Sequence, residues 1–239
     1  MVFGVSEVLR RVEWGKPVAK LLSQCKELNK AKAASLIIRH SERKSIEKPS
    51  EIRLAGLTDV GREASRNFGH LLPKEREIRI HHSPIYRCRE TAECILDGAK
   101  GAGLNGIIVG ELNILEGPRA DWDKFSQYLV KDWPDSINYY LSGRYPTFIV
   151  EPSLDYSQRV VKDLDAKALE PKTNALTIYV AHDLPILTLL FHWFGVSPSL
   201  KNASFLNGFL FQRSRGKISL FFEDVQKEYD LPYWWSESD

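Results

Sequence analysis

The chain has 239 residues, 43% hydrophobic and 27% charged, a mix able to bury a real core in one large or two small domains. Lys+Arg number 33 against 31 Asp+Glu, a net charge of +2, which is too weak to argue for nucleic-acid binding. Any anion site must therefore come from local arrangement, and three cysteines, Cys25, Cys88 and Cys94, are too few and too odd in number for a disulfide framework.

In chain order, the opening MVFGVSEVLRRVEWGKP has neither an uninterrupted apolar core nor a small-residue cleavage site, so no secretory signal is expected. Residues 5–32 read as helical, with Val5, Val8, Leu9 and Val12 on one face. Gly15 and Pro17 are expected to break this segment, leaving a second helix over 18–30. ASLIIRH (34–40) is a strand of the buried type. LTDVGREASRNFGHLL (57–72) is a helix with Thr58 as its N-cap. EIRIHHS (77–83) is a strand, and SPIYRCRETAECILDGA (83–99) a helix with Ser83 at the N-cap and Pro84 in its first position. Cys88 and Cys94 fall on that helix six residues apart, which does not face them together, and a reducing compartment suits all three thiols. GIIVGEL (106–112) is a strand. Residues 113–160 break the rhythm with Trp122, Tyr128, Trp133, Tyr139, Tyr140 and Tyr145, and read as a mostly helical insertion over one end of the sheet. ALTIYVAH (175–182) is the strongest strand, followed by the helix PILTLLFHWFG (185–195). NGFLFQRS and KISLFFEDV form a hairpin turning at Arg215-Gly216. The longest apolar run, LPILTLLFHWFGV (184–196), is too short to cross a bilayer, so a cytoplasmic protein is expected.

Strands alternating with helices predict an α/β sheet covered on both faces. Sites in such sheets lie beyond the carboxyl ends of the strands. Arg39-His40 ends the first strand, HHSP ends the second with Arg87 in the next helix, and VAHD ends a central strand with His182-Asp183. A parallel sheet brings these termini to one edge. Arginine forks suit a phosphate dianion, a neutral imidazole can attack phosphorus, and a nearby carboxylic acid can protonate the leaving alkoxide.

These residues also carry a resemblance. RHSER resembles the Arg-His-Gly-x-Arg motif of the histidine phosphatase superfamily, the group of phosphoglycerate mutases and histidine acid phosphatases. LTDVG is similar to that family's Leu-Thr-x-x-Gly helix start, and HSPIYRCRETA to its Ser-x-x-x-Arg-x-x-x-Thr-Ala segment. AHD resembles the family's second histidine, in the His-Asp form typical of the acid phosphatase branch. Ser41 stands where glycine is usual and Glu90 where glutamine is common. The resemblance implies a three-layer α/β/α sandwich with a mostly parallel sheet, phosphoglycerate mutase-like. It implies one domain over 1–239, with a helical extension (1–33) and a cap insertion (113–160). It further implies His40 as the phosphorylated nucleophile, Arg39, Arg43, Arg87 and His182 as holders of the phosphoryl oxygens, and Asp183 as the general acid. The mutase-like branch takes its acid from a middle segment, which GELNILEGPRADW loosely resembles, so Glu111 and Glu116 are rival acids.

Other readings of these residues remain in play. Asp183 precedes Leu184-Pro185 and a helix, the place of an N-cap. His81 and His82 are adjacent on a strand and point to opposite faces, which argues against a shared metal. Arg89 faces away from Arg87, and Arg119 belongs either to the pocket or to a loop salt bridge. The expected function is a metal-independent phosphomonoester hydrolase using no cofactor. Its partner is a phosphorylated small molecule or phosphoprotein, with no nucleic acid or membrane. The alternatives are a phosphomutase and an inactive phosphate- or phosphoprotein-binding member. A metal-dependent hydrolase is disfavoured because clustered arginines repel a divalent cation.

Overall fold

The computed structural model describes residues 7–129, 132–167 and 174–235. It opens with two helices, α1 (Glu7–Arg11) and α2 (Gly15–Glu27). Val5, expected on the face of the first helix, lies outside the described residues. Gly15 starts α2 rather than ending a helix, and Pro17 sits inside its first turn, where a missing N–H costs nothing.

The α/β unit follows: β1 (Ala34–Arg39), α3 (Asp59–His70), β2 (Glu77–His82), α4 (Tyr86–Gly101) and β3 (Gly106–Glu111). A 3-10 turn at Asn113–Leu115 leads to α5 (Trp122–Tyr128) and α6 (Trp133–Leu141). Then come α7 (Ser153–Lys167), β4 (Ala175–Ala181), α8 (Asp183–Phe194), β5 (Gly208–Ser214), β6 (Lys217–Phe222) and β7 (Val225–Asp230).

The strands form one seven-stranded sheet in the order β3-β2-β4-β1-β5-β6-β7. The first four are parallel and the last three add antiparallel strands. The register pairs Arg39 with Ala181 and His82 with Val180, so β1, β2 and β4 end on the same edge.

Alternation explains why both faces are covered. Leu36 and Ile38 of β1 join Ile78, Ile80, Leu176, Ile178 and Val180 against α1–α4. Ile37, between them, points to the other core with Tyr179, Tyr156, Leu187 and Trp193 of the α7–α8 layer. Ile37, Leu36 and Ile38 are fully buried, each contributing about 1.5–3 kcal/mol by leaving water. The cap residues Phe125, Ile137, Tyr140 and Tyr145 belong to the α7–α8 core, and α7 begins at Ser153, inside the segment expected to be insertion.

Two elements differ from expectation. The N-cap of α4 is Ile85, not Ser83; the Ser83 hydroxyl oxygen accepts from Ile85 N–H just before the helix and lies 3.0 Å from His182 Nε2. Strand β7 has the sequence VQKEYD and is mostly exposed; an edge strand needs no apolar face, so it left no alternation to read. No helix among the described residues is long and apolar enough to cross a membrane.

Candidate active site

At the carboxyl edge the chain leaves β1 through Arg39-His40-Ser41-Glu42-Arg43. Backbone bonds fix this exit. Arg39 N–H donates to the Asn207 carbonyl (2.9 Å) and His40 N–H to the Ala181 carbonyl of β4 (3.0 Å). Ser41 N–H donates to Thr91 Oγ1 of α4 (3.0 Å), and its hydroxyl donates to the Gly61 carbonyl of α3 (2.8 Å). Gly61 is required here: a Cβ would lie 2.2 Å from the Glu42 carbonyl oxygen. Thr58 caps α3 as expected, accepting from Gly61 N–H at 2.9 Å.

His40 is 2% exposed, and its Nδ1 lies 2.7 Å from the Ser41 carbonyl. Only a protonated Nδ1 can donate to that carbonyl, so Nε2 carries the lone pair. Arg87 Nε donates to that Nε2 at 2.9 Å. Burial pulls the His40 pKa well below 6.5, and His182, Arg87 and Arg39 push it the same way. His40 is thus a neutral imidazole of fixed tautomer whose free nitrogen faces a guanidinium.

His182, 8% exposed, closes the opposite side, its ring centroid 5.3 Å from that of His40 in an edge-on arrangement. Its Nδ1 faces Arg87 Nη2 at 3.3 Å, so Nε2 carries the hydrogen and donates to Ser83 Oγ at 3.0 Å. Cys88 Sγ lies 3.5 Å from the same Nε2. Burial lowers the His182 pKa well below 6.5, with Arg87 and Arg39 adding to the shift, and burial pushes the Cys88 thiol up to about 12. That thiol is a packing group, not a nucleophile.

Arg87, 9% exposed, bridges the two histidines and is tied by Nη1 to the Ile52 carbonyl at 2.6 Å. Arg39 donates from Nη1 to the Ala203 carbonyl (3.0 Å), pairs through Nη2 with Asp183 Oδ2 (3.0 Å) and lies 4.8 Å over the Phe205 ring. Its buried Nε has no hydrogen-bond partner among the described residues. Arg43 is half-buried, donates to the Lys44 carbonyl at 2.9 Å, and shares the field of Arg39 and Asp183. The structure thus gathers Arg39, His40, Arg43, Arg87, His182 and Asp183 in one place.

The candidate acids differ in setting. His182, not Asp183, is the N-cap of α8; Asp183 is its first residue, with Oδ1 accepting from Leu184 N–H at 2.9 Å and Oδ2 facing Arg39. Glu116 pairs with the exposed Arg53, which neighbours the Ile52 carbonyl held by Arg87. Glu111 is exposed at the end of β3 beside Arg89. Both glutamates line a cavity of about 660 Å³ with Arg119, Trp122, Arg159 and Asp163. Arg119 lies in this cavity, its backbone N–H donating to Glu151, while Arg89 forms an exposed pair with Glu93. His81 stacks on Tyr179 at 5.4 Å and His82 faces the Ser83 carbonyl, and no metal-binding cluster occurs among the described residues.

A family model described as the histidine phosphatase superfamily (branch 1) matches residues 36–207. The chain belongs to this superfamily. The match bears out the resemblance to the histidine phosphatase superfamily. Solved structures of histidine phosphatase type share the fold. Phosphoglycerate mutase from Bacillus anthracis str. Sterne is 15% identical, with 81% of this chain and 94% of that one covered and a TM-score of 0.54. A mycobacterial glucosyl-3-phosphoglycerate phosphatase with inorganic phosphate is 17% identical (80% and 97% covered, TM-score 0.53). A phosphoserine phosphatase mutant from Entamoeba histolytica with phosphoserine is 16% identical (81% and 96% covered, TM-score 0.53). A search of curated proteins found no match.

Sequence reasoning missed Ser83 as the partner of His182, Thr91 as the support of the Ser41 amide, and Phe205 under Arg39. Ser83 and Thr91 lie in the quoted HSPIYRCRETA segment, so a signal existed for both. Phe205 sits in an irregular segment with no periodicity to mark it.

Proposed function

We propose that this chain is a metal-independent phosphomonoester hydrolase working through a phosphohistidine on His40. The observation that carries the reading is the tautomer of His40, with Nδ1–H held by the Ser41 carbonyl and the Nε2 lone pair turned to Arg87. In the first step Nε2 bonds to phosphorus, the ester P–O bond breaks, and the alkoxide takes a proton. Arg39, Arg43 and Arg87 surround the phosphoryl oxygens, where charge builds in the transition state, and His182 acts by accepting from Arg87 Nη2 and so orienting that guanidinium. In the second step water attacks phosphorus, the P–N bond breaks, and phosphate leaves.

We assign the proton to Glu116 rather than Asp183. Asp183 accepts from Leu184 N–H on one oxygen and pairs with Arg39 through the other, so both oxygens are already engaged within the cluster. Its role in this reading is to orient Arg39. Among the described residues the ion-pair partner of Glu116 is Arg53, which is largely exposed, and Glu116 lines the cavity.

Hydrolysis is favoured over mutase chemistry because the cap is open. Glu111, Asn113, Arg119 and Trp122 are exposed, so water reaches the cavity. The cavity holds about 660 Å³ and is lined by charges of both signs, which suits a polar leaving group.

The test is hydrolysis of an aryl phosphate in excess chelator, beside His40→Ala. The expected outcome is turnover by the wild type and loss of about three orders of magnitude or more in the variant. Activity that survives in the variant would assign the nucleophile elsewhere, and sensitivity to chelator would overturn the metal-independent mechanism.

A further inference from the structure

Trp14 lies between α1 and α2, outside the matched residues 36–207, yet it reaches the site. Its indole Nε1–H donates to Glu42 Oε2 at 3.1 Å, across 28 residues of chain. The other oxygen, Oε1, accepts from the Thr58 hydroxyl at 2.8 Å. Glu42 is the residue between His40-Ser41 and Arg43. A carboxylate there is a built-in competitor for the arginines that would hold a phosphate dianion. With both oxygens engaged, Glu42 is held away from that task.

The same ring braces the cluster by a second path. Trp14 meets Phe205 edge-on at 5.9 Å between centroids, and Phe205 lies 5.9 Å from the His40 ring and under the Arg39 guanidinium. The segment 203–207 wraps Arg39, since Ala203 and Asn207 supply the carbonyls that bind its side chain and backbone. Within it Leu206 has φ of 54°, a left-handed conformation unfavourable for a non-glycine residue, which needs support from its surroundings.

We propose that Trp14 is a positioning residue: it holds Glu42 off the arginine cluster and seats Phe205 beneath Arg39, making the segment ahead of β1 part of the phosphate site. This rests on the phosphate-site reading above but not on turnover, because its first readout is binding of inorganic phosphate. The experiment measures phosphate affinity by calorimetry, KM and kcat with an aryl phosphate, and the melting midpoint. The variants are Trp14→Phe, Trp14→Ala and the double variant Trp14→Phe/Glu42→Gln.

Trp14→Phe keeps a ring against Phe205 and removes the N–H. It should weaken phosphate binding and raise KM about three- to tenfold, the worth of one hydrogen bond. The double variant should recover most of that loss, because a neutral amide does not compete for guanidinium. Trp14→Ala removes both paths and should lower kcat/KM about a hundredfold, as misplacement of a reacting group does. Unchanged phosphate affinity and KM in Trp14→Phe, or a fall in melting midpoint with no change in either, would overturn the positioning role. Loss without recovery in the double variant would overturn the part assigned to Glu42. A wild type that binds phosphate without turnover would sink only the hydrolase reading, whereas one that neither binds nor hydrolyses would sink both.

Discussion

The two halves of the site are built by opposite means. The half that would face phosphate is made of strand ends. His40 and Arg87 are buried, and the backbone around them is tied to α3, α4 and β4 at Ser41, Ser83 and His40. The half that would face the leaving group is made of the cap, where Glu111, Asn113, Arg119 and Trp122 are exposed. It is tied by ion pairs, Arg53 with Glu116 and Arg159 with Glu151. Buried hydrogen bonds hold geometry tightly, while the largely exposed Arg53–Glu116 pair contributes little, and the part-buried Arg159–Glu151 pair lies between these extremes. The difference teaches where chemistry and where specificity reside: a fixed phosphate cradle is reusable, and an open cap can change partners without disturbing it.

The largest expected effect that breaks this comparison concerns the acid. If the cap supplies the proton, Glu116→Gln lowers kcat with an alkyl phosphate by about a hundredfold or more. The same variant should lose far less with a nitrophenyl phosphate, whose leaving group needs no proton. Asp183→Asn should lose activity on both esters alike, because it loosens Arg39. If Asp183→Asn shows the leaving-group dependence and Glu116→Gln does not, the acid belongs to the strand-end half.

A smaller effect sharpens the burial side. His40 and His182 stay neutral in the folded chain well below 6.5, their ordinary value, because burial disfavours the charged ring. The unfolded chain takes up those protons near 6.5, so below that pH it binds more protons than the folded one, and stability falls as the solution is acidified. Both histidines contribute to that loss in the same direction. Denaturant titrations between about pH 7 and pH 5 should show a shallower loss in His40→Asn than in wild type. Equal slopes would mean that His40 takes up its proton in the folded state.

The strand-end half was largely legible in the sequence and the cap half was not. The apolar strands end in Arg39-His40 and His182-Asp183, and the parallel register brings those ends together. Thr58 announced its helix because a cap is a local device. Ser83 misled for the same reason: a serine before a proline looks like a cap, and only the fold shows that the cap is Ile85 and that the Ser83 hydroxyl lies beside His182. Trp14, Phe205 and the Arg53–Glu116 pair are contacts between segments far apart in the chain, with no periodicity or spacing to reveal them. The exposed β7 was invisible because nothing in VQKEYD alternates toward a core.

The central claim is that His40 Nε2 carries the phosphoryl group. The most direct measurement is rapid quench of the wild-type protein during turnover of a phosphomonoester, followed by mass spectrometry of its peptides under conditions that preserve phosphohistidine. The expected result is one phosphoryl group on the peptide containing His40, appearing before free phosphate reaches its steady rate. A phosphoryl group on His182 or any other residue, or phosphate release with no labelled peptide at any time, would contradict it.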